Sequence, residues 1–320
     1  MKLLRIIFTL LLGLSLGSAA SAADAVWYDS VRQRSIPVKF FFPYFTEKAP
    51  VILFSHGLGS SIDDCSYLAN SWTAQGFVCV FVQHPGCDEN VWKGKVRFMN
   101  KLRQAYEHNW NSRTRAQDIH FVLNCLEQIV ESHPQYAARL DLDRIGVGGV
   151  DLGALAALLL AGQVPPDYGV SLHDSRVKAV LALSPPVNGM NISFREMYQP
   201  ITVPTLFITG TKDDGIIGST KAAQRRIPFD AMEQCQRYLI TLAGGDHRIY
   251  GGRAVSILGG RNDERFQSAI ARSSAIFWLA VLQEEPNAVQ AMETYGWASL
   301  VGVEASIERR SGEEQLSRNQ

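Results

Sequence analysis

The stretch Arg144-Ile145-Gly146-Val147-Gly148-Gly149-Val150-Asp151-Leu152-Gly153-Ala154-Leu155-Ala156-Ala157 carries the strongest structural message in the chain. Its first half is short, apolar and glycine-studded, as in a buried strand. Its second half is rich in alanine and leucine, which favour helix. Between the halves, Gly149-x-Asp151-x-Gly153 spaces glycines about one central residue. That spacing lets a chain turn sharply from strand to helix, so the central side chain stands clear of the sheet. The positive end of the helix dipole beneath it favours an anion. A plainer reading makes Asp151 an N-cap, a role aspartate fills well. The strand before it and the helix after it favour the sharp turn.

Outward from this turn, further apolar runs read as parallel strands covered on both faces: Val51–Phe54, Val78–Val82, Val177–Leu183, Thr205–Ile208 and Tyr238–Leu242. Helix-like stretches lie between or after them at Asp63–Gln75, Ser112–Ser132, Leu152–Gly162 and Phe266–Leu282. In the second of these, Ile119, Val122, Leu123, Leu126 and Ile129 recur at helical spacing. Ahead of all of them, Ala25–Ser30 and Ile36–Phe42 read as antiparallel strands about the charged turn Arg32-Gln33-Arg34. Alternating strands and helices predict the α/β class, a mainly parallel central sheet with helices on both faces. No repeat and no linker rich in Pro, Gly or Ser divides the chain, so residues 23–306 are expected to form a single domain. Ile307–Gln320 is polar and reads as a disordered tail.

With 320 residues and 46% apolar content, the chain can bury a sizeable core. Lys+Arg and Asp+Glu both number 31, so no global field draws it to nucleic acid or to an anionic membrane. Met1-Lys2-Leu3-Leu4-Arg5, the apolar run Ile6–Leu16 and Ala20-Ser21-Ala22 together read as a signal peptide over 1–22, predicting a periplasmic or secreted protein. The apolar run is shorter than the roughly 20 residues that span a bilayer, so no stable membrane anchor is expected. Cys65, Cys79, Cys87, Cys125 and Cys235 are odd in number, so at least one thiol is free. They form no CxxC pair or Cys/His cluster of the kind that holds zinc.

Four features follow predicted strands, where open parallel sheets place their ligands. Asp151 is the first. Ser55-His56-Gly57-Leu58-Gly59-Ser60 is the second, a glycine-bearing loop able to aim backbone N–H groups at a developing oxyanion. The amides of Leu58 and Leu152 are the expected donors, and His56 reads as a structural, hydrogen-bonding histidine. Gly210-Thr211-Lys212-Asp213-Asp214 is the third. A carboxylate there can accept the Nδ1 proton of a histidine and hold its tautomer, with Asp213 at the expected spacing and Asp214 a competitor. Gly244-Gly245-Asp246-His247 is the fourth, and His247 is the expected general base. The chain order Asp151, Asp213, His247 is that of nucleophile, acid and histidine in one large hydrolytic fold.

At these residues the chain resembles the bacterial α/β-hydrolases related to dienelactone hydrolase and platelet-activating-factor acetylhydrolase. The resemblance runs from about Ile36 to about Gly252 and rests on Ile36-Pro-Val-Lys, Phe54-Ser-His-Gly-Leu-Gly, Gln83-His-Pro-Gly, Arg115-Ala-Gln-Asp-Ile, Asp143-Arg-Ile-Gly-Val, Gly210-Thr-Lys-Asp-Asp, Arg226-Ile-Pro-Phe-Asp and Gly245-Asp-His. It implies the α/β-hydrolase fold and hydrolysis of a small ester or lactone with no cofactor and no metal. It implies His247 as base, Asp213 as orienting acid, and Leu58 with Leu152 as the oxyanion hole. Some relatives take the acid after the preceding strand, a place that here holds Ser184.

The chain departs from the family at one point. The family pattern Gly-His-Ser-x-Gly reads Gly149-Val150-Asp151-Leu152-Gly153 here, with aspartate at the nucleophile elbow. A carboxylate gains nothing by attacking an ester carbonyl, but it can displace a leaving group from sp³ carbon, leaving an alkyl-enzyme ester for histidine-activated water. Haloalkane dehalogenases and epoxide hydrolases, which share this fold, work in that way. The tryptophan that commonly follows the nucleophile in dehalogenases is Leu152 here, and the oxyanion-loop proline of epoxide hydrolases is Gly59. Trp92, Trp110 and Tyr250 are candidate leaving-group donors. Three readings follow: a hydrolase on a small ester, lactone, halide or epoxide; an inactive relative that binds a ligand or partner through the retained pocket; and a metal-dependent hydrolase with Asp151, Asp213 and His247 as ligands.

Overall fold

A computed structural model describes residues 9–10, 22–44, 47–107, 110–166, 169–187, 193–251, 263–294, 297 and 302–312. The predicted leader falls outside these residues except for Thr9–Leu10 and Ala22.

The predicted apolar runs are strands, most of them longer than their apolar cores. In chain order the strands are β1 (Thr9–Leu10), β2 (Ala22–Asp29), β3 (Arg34–Phe41), β4 (Ala49–Ser55), β5 (Val78–Val82), β6 (Leu140–Val150), β7 (Val177–Leu183), β8 (Thr205–Lys212), β9 (Arg237–Asp246) and β10 (Ala305–Arg310). They form one sheet in the order β1-β2-β3-β5-β4-β6-β7-β8-β9-β10. The centre, from β5 across β4, β6, β7 and β8 to β9, is parallel. β1, β2 and β3 extend one edge antiparallel, with Trp27 opposite Ile36, and β10 closes the other edge antiparallel to β9.

Nine described helices are α1 (Ser66–Ala74), α2 (Phe98–Glu107), α3 (Trp110–Ser132), α4 (Pro134–Ala137), α5 (Leu152–Ala161), α6 (Phe194–Tyr198), α7 (Ile227–Ala231), α8 (Glu264–Leu282) and α9 (Pro286–Glu293). Successive residues of a strand point to opposite faces, and the core divides accordingly. Val51, Leu53, Val78 and Val80 pack with Ile119, Val122 and Leu126 of α3 and with Ala154 and Ala156–Ala161 of α5. Ile52, Phe54, Cys79 and Phe81 pack with Leu68 and Trp72 of α1 and with Phe277 and Trp278 of α8. Continuous apolar strands therefore bury both faces, as doubly covered parallel sheets require. The result is a mixed α/β architecture with a mostly parallel sheet between helical layers.

One expectation is corrected. The sequence reads as a polar tail from Ile307, but Ala305–Arg310 is a strand in register with β9, Ile307 opposite Ile240. Ion pairs hold it as well: Arg226 Nη2 to Glu308 Oε2 at 2.9 Å and Arg310 Nη2 to Asp230 Oδ1 at 2.9 Å. The domain therefore runs past residue 306, and the remainder of the expected tail, 313–320, lies outside the described residues. The cysteines, all buried, are free thiols.

The topology selects a place for ligands. From β4 the chain crosses by α1 to β5 on one side; from β6 it crosses by α5 to β7 on the other. The connections after adjacent β4 and β6 diverge to opposite faces, which opens a crevice beyond their carboxyl ends.

Candidate active site

The loop after β4 and the turn after β6 meet at that crevice. Asp151 joins β6 to α5 with φ 54° and ψ −120°, a conformation that a residue with a Cβ rarely adopts. Its side chain makes no capping hydrogen bond to α5, which removes the plain N-cap reading. Such a strained position persists only when its surroundings over-determine it. Here Asp151 N donates to Leu183 O at 3.0 Å and Leu155 N to Asp151 O at 3.2 Å, tying the turn to β7 and to the first turn of α5. The flanking glycines are steric necessities. A Cβ on Gly149 would lie 2.4 Å from the Gly153 carbonyl carbon, and one on Gly153 would meet the backbone of Ser55 and His56.

Asp151 and His247 line one cavity of about 60 Å³, walled by Leu58, Val150, Leu102, Ile216 and Ile217. Where about 10–15 Å³ admits one water, this space takes a handful of heavy atoms. Leu102 comes from α2, so that helix supplies part of the cavity wall.

His247 reaches the cavity because its loop folds against that of Asp213. A Cβ on Gly210 would sit 2.2 Å from Gly245 O, so only glycine permits this approach of β8 and β9. His247 Nδ1 then stands 2.9 Å from Asp213 Oδ1. Asp213 is fully buried and surrounded by donors. Ser184 Oγ donates to Oδ1 (2.9 Å), Thr209 Oγ1 to Oδ2 (2.9 Å) and Tyr250 OH to Oδ2 (3.0 Å). Arg225 Nε lies 3.2 Å from Oδ1 and donates to the Asp213 carbonyl at 2.6 Å. Burial alone would raise the Asp213 carboxyl, but the hydrogen bond and charge of His247, with Arg225 and Ser184, hold it below the ordinary carboxylate range. An ionised Asp213 fixes Nδ1 of His247 as the protonated nitrogen and leaves Nε2 as the base. Asp214, the competitor, is exposed and turned away, its oxygens taken by Ala222 N and Lys221 Nζ.

Ser184, just after β7, is 2.9 Å from both Asp213 Oδ1 and His247 Nδ1. Neither it nor Arg225 was singled out as a partner of the acid from sequence, because no local pattern marks a side chain whose acceptors arrive from three strands. Arg225 adjoins Arg226-Ile-Pro-Phe-Asp230, and that motif's own role is structural: Arg226 clamps Asp230 and Glu308.

Two candidate leaving-group donors are committed elsewhere. Trp92 Nε1 donates to Gly59 O at 2.7 Å, and Tyr250 OH serves Asp213 and Ile208 O. Burial, followed by the charge of Asp213, pushes the Tyr250 phenol well up, so it stays a neutral donor to that carboxylate. The side chain of Trp110 lies outside the described residues.

His56 is structural, as expected. Its Nε2 accepts from His84 N at 3.1 Å, so its Nδ1 carries the proton and donates to Gly57 O at 2.7 Å. Beneath it lies an array with the residue types of a catalytic triad: Ser55 Oγ to His84 Nε2 at 2.9 Å and His84 Nδ1 to Asp118 Oδ2 at 2.9 Å. All three residues are fully buried and away from the cavity wall, so no substrate reaches them. Asp118 is also paired with Arg32 (2.7 Å) and Arg34 (2.9 Å). Burial drives the His84 ring down to about 4, against the hydrogen bond it donates to Asp118, so it is neutral near pH 7.

The described residues contain no convergence of three His, Cys, Asp or Glu side chains suited to a metal ion, and no helix long and apolar enough to cross a membrane. With both oxygens of Asp213 engaged by donors, that carboxylate has little capacity left for a cation. No known protein-family profile matches the chain. No curated protein matches it in sequence.

Proposed function

We propose that the chain is an exported hydrolase of the α/β-hydrolase fold, related to the dienelactone hydrolase and acetylhydrolase group, that works without a cofactor on a small substrate through Asp151. The observation that carries this reading is the strained Asp151 facing the same cavity as a histidine whose tautomer is fixed by a buried carboxylate. A capping aspartate needs neither the strain nor the histidine.

In the cycle we propose, an Asp151 carboxylate oxygen attacks an sp³ carbon, the carbon–leaving-group bond breaks, and the leaving group departs with the electron pair. The product is an alkyl ester of Asp151. His247 Nε2 then takes a proton from water, and the hydroxide adds to the ester carbonyl. The amides of Leu58 and Leu152 stabilise the oxyanion of that tetrahedral intermediate. Collapse expels the alkoxide, which recovers the proton from His247 and leaves as an alcohol; the Asp151 carboxyl then gives its proton to water and is regenerated as the carboxylate.

The commitment of Trp92 and Tyr250 narrows the substrate. Leaving groups that depart as stable anions, halides and carboxylates among them, suit the site better than epoxides, whose alkoxide needs a donor. The same observation favours a second reading, a disarmed relative that keeps the cavity to bind a small ligand.

The test is turnover of short haloalkanes, p-nitrophenyl esters and epoxides by the mature protein, beside Asp151→Ser and His247→Gln. Hydrolysis through Asp151 predicts loss in both variants and, in His247→Gln, an alkyl adduct on Asp151 detectable by peptide mass spectrometry. An inert wild type whose Asp151→Ser variant gains esterase activity would establish the binding reading instead.

A further inference from the structure

Arg115, on α3, is a guanidinium with 0% exposure, and among the described residues no carboxylate pairs with it and its Nε has no partner. A buried charge held without a counter-ion is costly, so the arrangement calls for an explanation beyond packing. Its hydrogen bonds reach backbone and hydroxyl oxygens under the crevice. Nη1 donates to His56 O and lies 3.4 Å from Ser55 Oγ; Nη2 lies 3.3 Å from Gly57 O and 3.4 Å from Cys87 O. Cys87 O in turn accepts from Gly59 N at 2.9 Å, and Gly59 O accepts from Trp92. Gly57 O thus takes bonds from both the guanidinium and His56 Nδ1.

The Gly57–Leu58 peptide is planar, and in a trans peptide the C=O and the N–H point in opposite directions. A carbonyl pinned inward towards Arg115 turns the following N–H outward, to the cavity that Leu58 lines. Hydrogen bonds on one side of a peptide also polarise it and strengthen its N–H as a donor.

We propose that Arg115 is a positioning residue that fixes the Gly57–Leu58 peptide so that the Leu58 N–H faces, and is polarised towards, an anionic oxygen in the cavity. The inference rests on the reading of Leu58 as an oxyanion donor, yet the peptide orientation is open to a test that requires no turnover. A guanidinium suits the task because its planar fork reaches several carbonyls at once, which an ammonium on a flexible stem does not.

The experiment compares wild type, Arg115→Gln and Arg115→Lys by backbone amide NMR of ¹⁵N-labelled protein, with circular dichroism to verify folding. The Leu58 amide resonance is expected to move in both variants while that of Leu152, held by α5, stays in place. In parallel, kcat is measured on whichever substrate the wild type hydrolyses, or on p-nitrophenyl acetate in the Asp151→Ser background. There Arg115→Gln is expected to lose about 10²-fold in kcat with KM little changed, and Arg115→Lys to recover part of it. A Leu58 resonance unmoved in a folded variant overturns the proposal, as does a loss carried by KM alone. If Arg115→Gln does not fold, Arg115→Lys decides by the same two measurements. If neither background turns anything over, the hydrolytic reading fails, and the Leu58 resonance still decides the orientation of the peptide.

Discussion

A methyl group placed on the α-carbon of Gly153 would sit 2.1 Å from the carbonyl oxygen of Ser55. That contact joins the first turn of α5 to the end of β4, and so joins the Asp151 turn to the loop bearing Leu58. The two halves of the crevice are one mechanical unit whose spacing is set by the absence of a side chain.

Gly153→Ala is therefore expected to lower stability by about 1–3 kcal/mol, the range for overpacking a tight interior, or by more if the backbone of β4 cannot yield. Urea unfolding reads this directly. A loss below about 0.5 kcal/mol would mean that the contact relaxes freely and that Gly153 is not what sets the crevice.

Asp213→Ala and Asp214→Ala should separate sharply. Removing Asp213 leaves the buried Arg225 uncompensated, a change that typically costs about 3–5 kcal/mol, and frees the His247 ring. Removing the exposed Asp214 should alter stability little. Any hydrolytic activity should vanish with the first and survive the second. Thermal unfolding and turnover measured on both variants check the assignment of the acid.

His84 supplies a pH dependence of known sign. Its folded value of about 4 lies below the ordinary 6.5 of histidine, so the unfolded chain binds the proton more readily. The stabilisation is fully present above about pH 6.5 and is lost as pH falls towards 4. It amounts to about 3 kcal/mol at most, from roughly 1.4 kcal/mol per unit. Burial lowers His56 as well, so it contributes in the same direction. His84→Gln, which keeps polar atoms but cannot titrate, should flatten this slope in denaturant melts between pH 4 and 6.5. An unchanged slope would assign the effect to other groups.

How much of this was legible in the sequence varied with the kind of force involved. The central strands announced themselves because both faces are covered, which demands uninterrupted apolar runs such as Val78–Val82. The Asp151 turn was legible because Gly149-x-Asp151-x-Gly153 lies in one short stretch between strand and helix, although the contact that demands Gly153 comes from distant Ser55. The order Asp151, Asp213, His247 followed from topology, since each residue sits at or just beyond a strand's end. The buried cations were not legible. Arg115 and Arg225 take their meaning from carbonyls contributed by loops remote in sequence, and an arginine on a helix reads as a solvated face until those carbonyls are in place. The same holds for Trp92, whose ring N–H is available or engaged only according to where Gly59 O lies.

Trp92→Phe offers a direct check on that last point. Deleting the indole N–H orphans the Gly59 carbonyl and should cost about 1–3 kcal/mol of stability. If Trp92 is structural, the relative rates for chloride, bromide and iodide leaving groups should be unchanged in the variant. A steeper dependence on leaving-group ability would instead make Trp92 a participant in bond cleavage.

Strand β10 has a meaning beyond completing the sheet. An outer strand offers a row of unpaired amide and carbonyl groups, a template on which another chain could add and from which aggregates grow. Here that outer position is filled by Ala305-Ser306-Ile307-Glu308-Arg309-Arg310, with the charges of Glu308 and Arg310 engaged by Arg226 and Asp230 and Arg309 exposed. A chain adding there would have to strip water from these groups and break their pairs. The composition that makes this segment look unstructured on paper is thus also a guard against uncontrolled self-association: Ala305 and Ile307 pack on the core while the charges of Glu308, Arg309 and Arg310 keep the margin soluble.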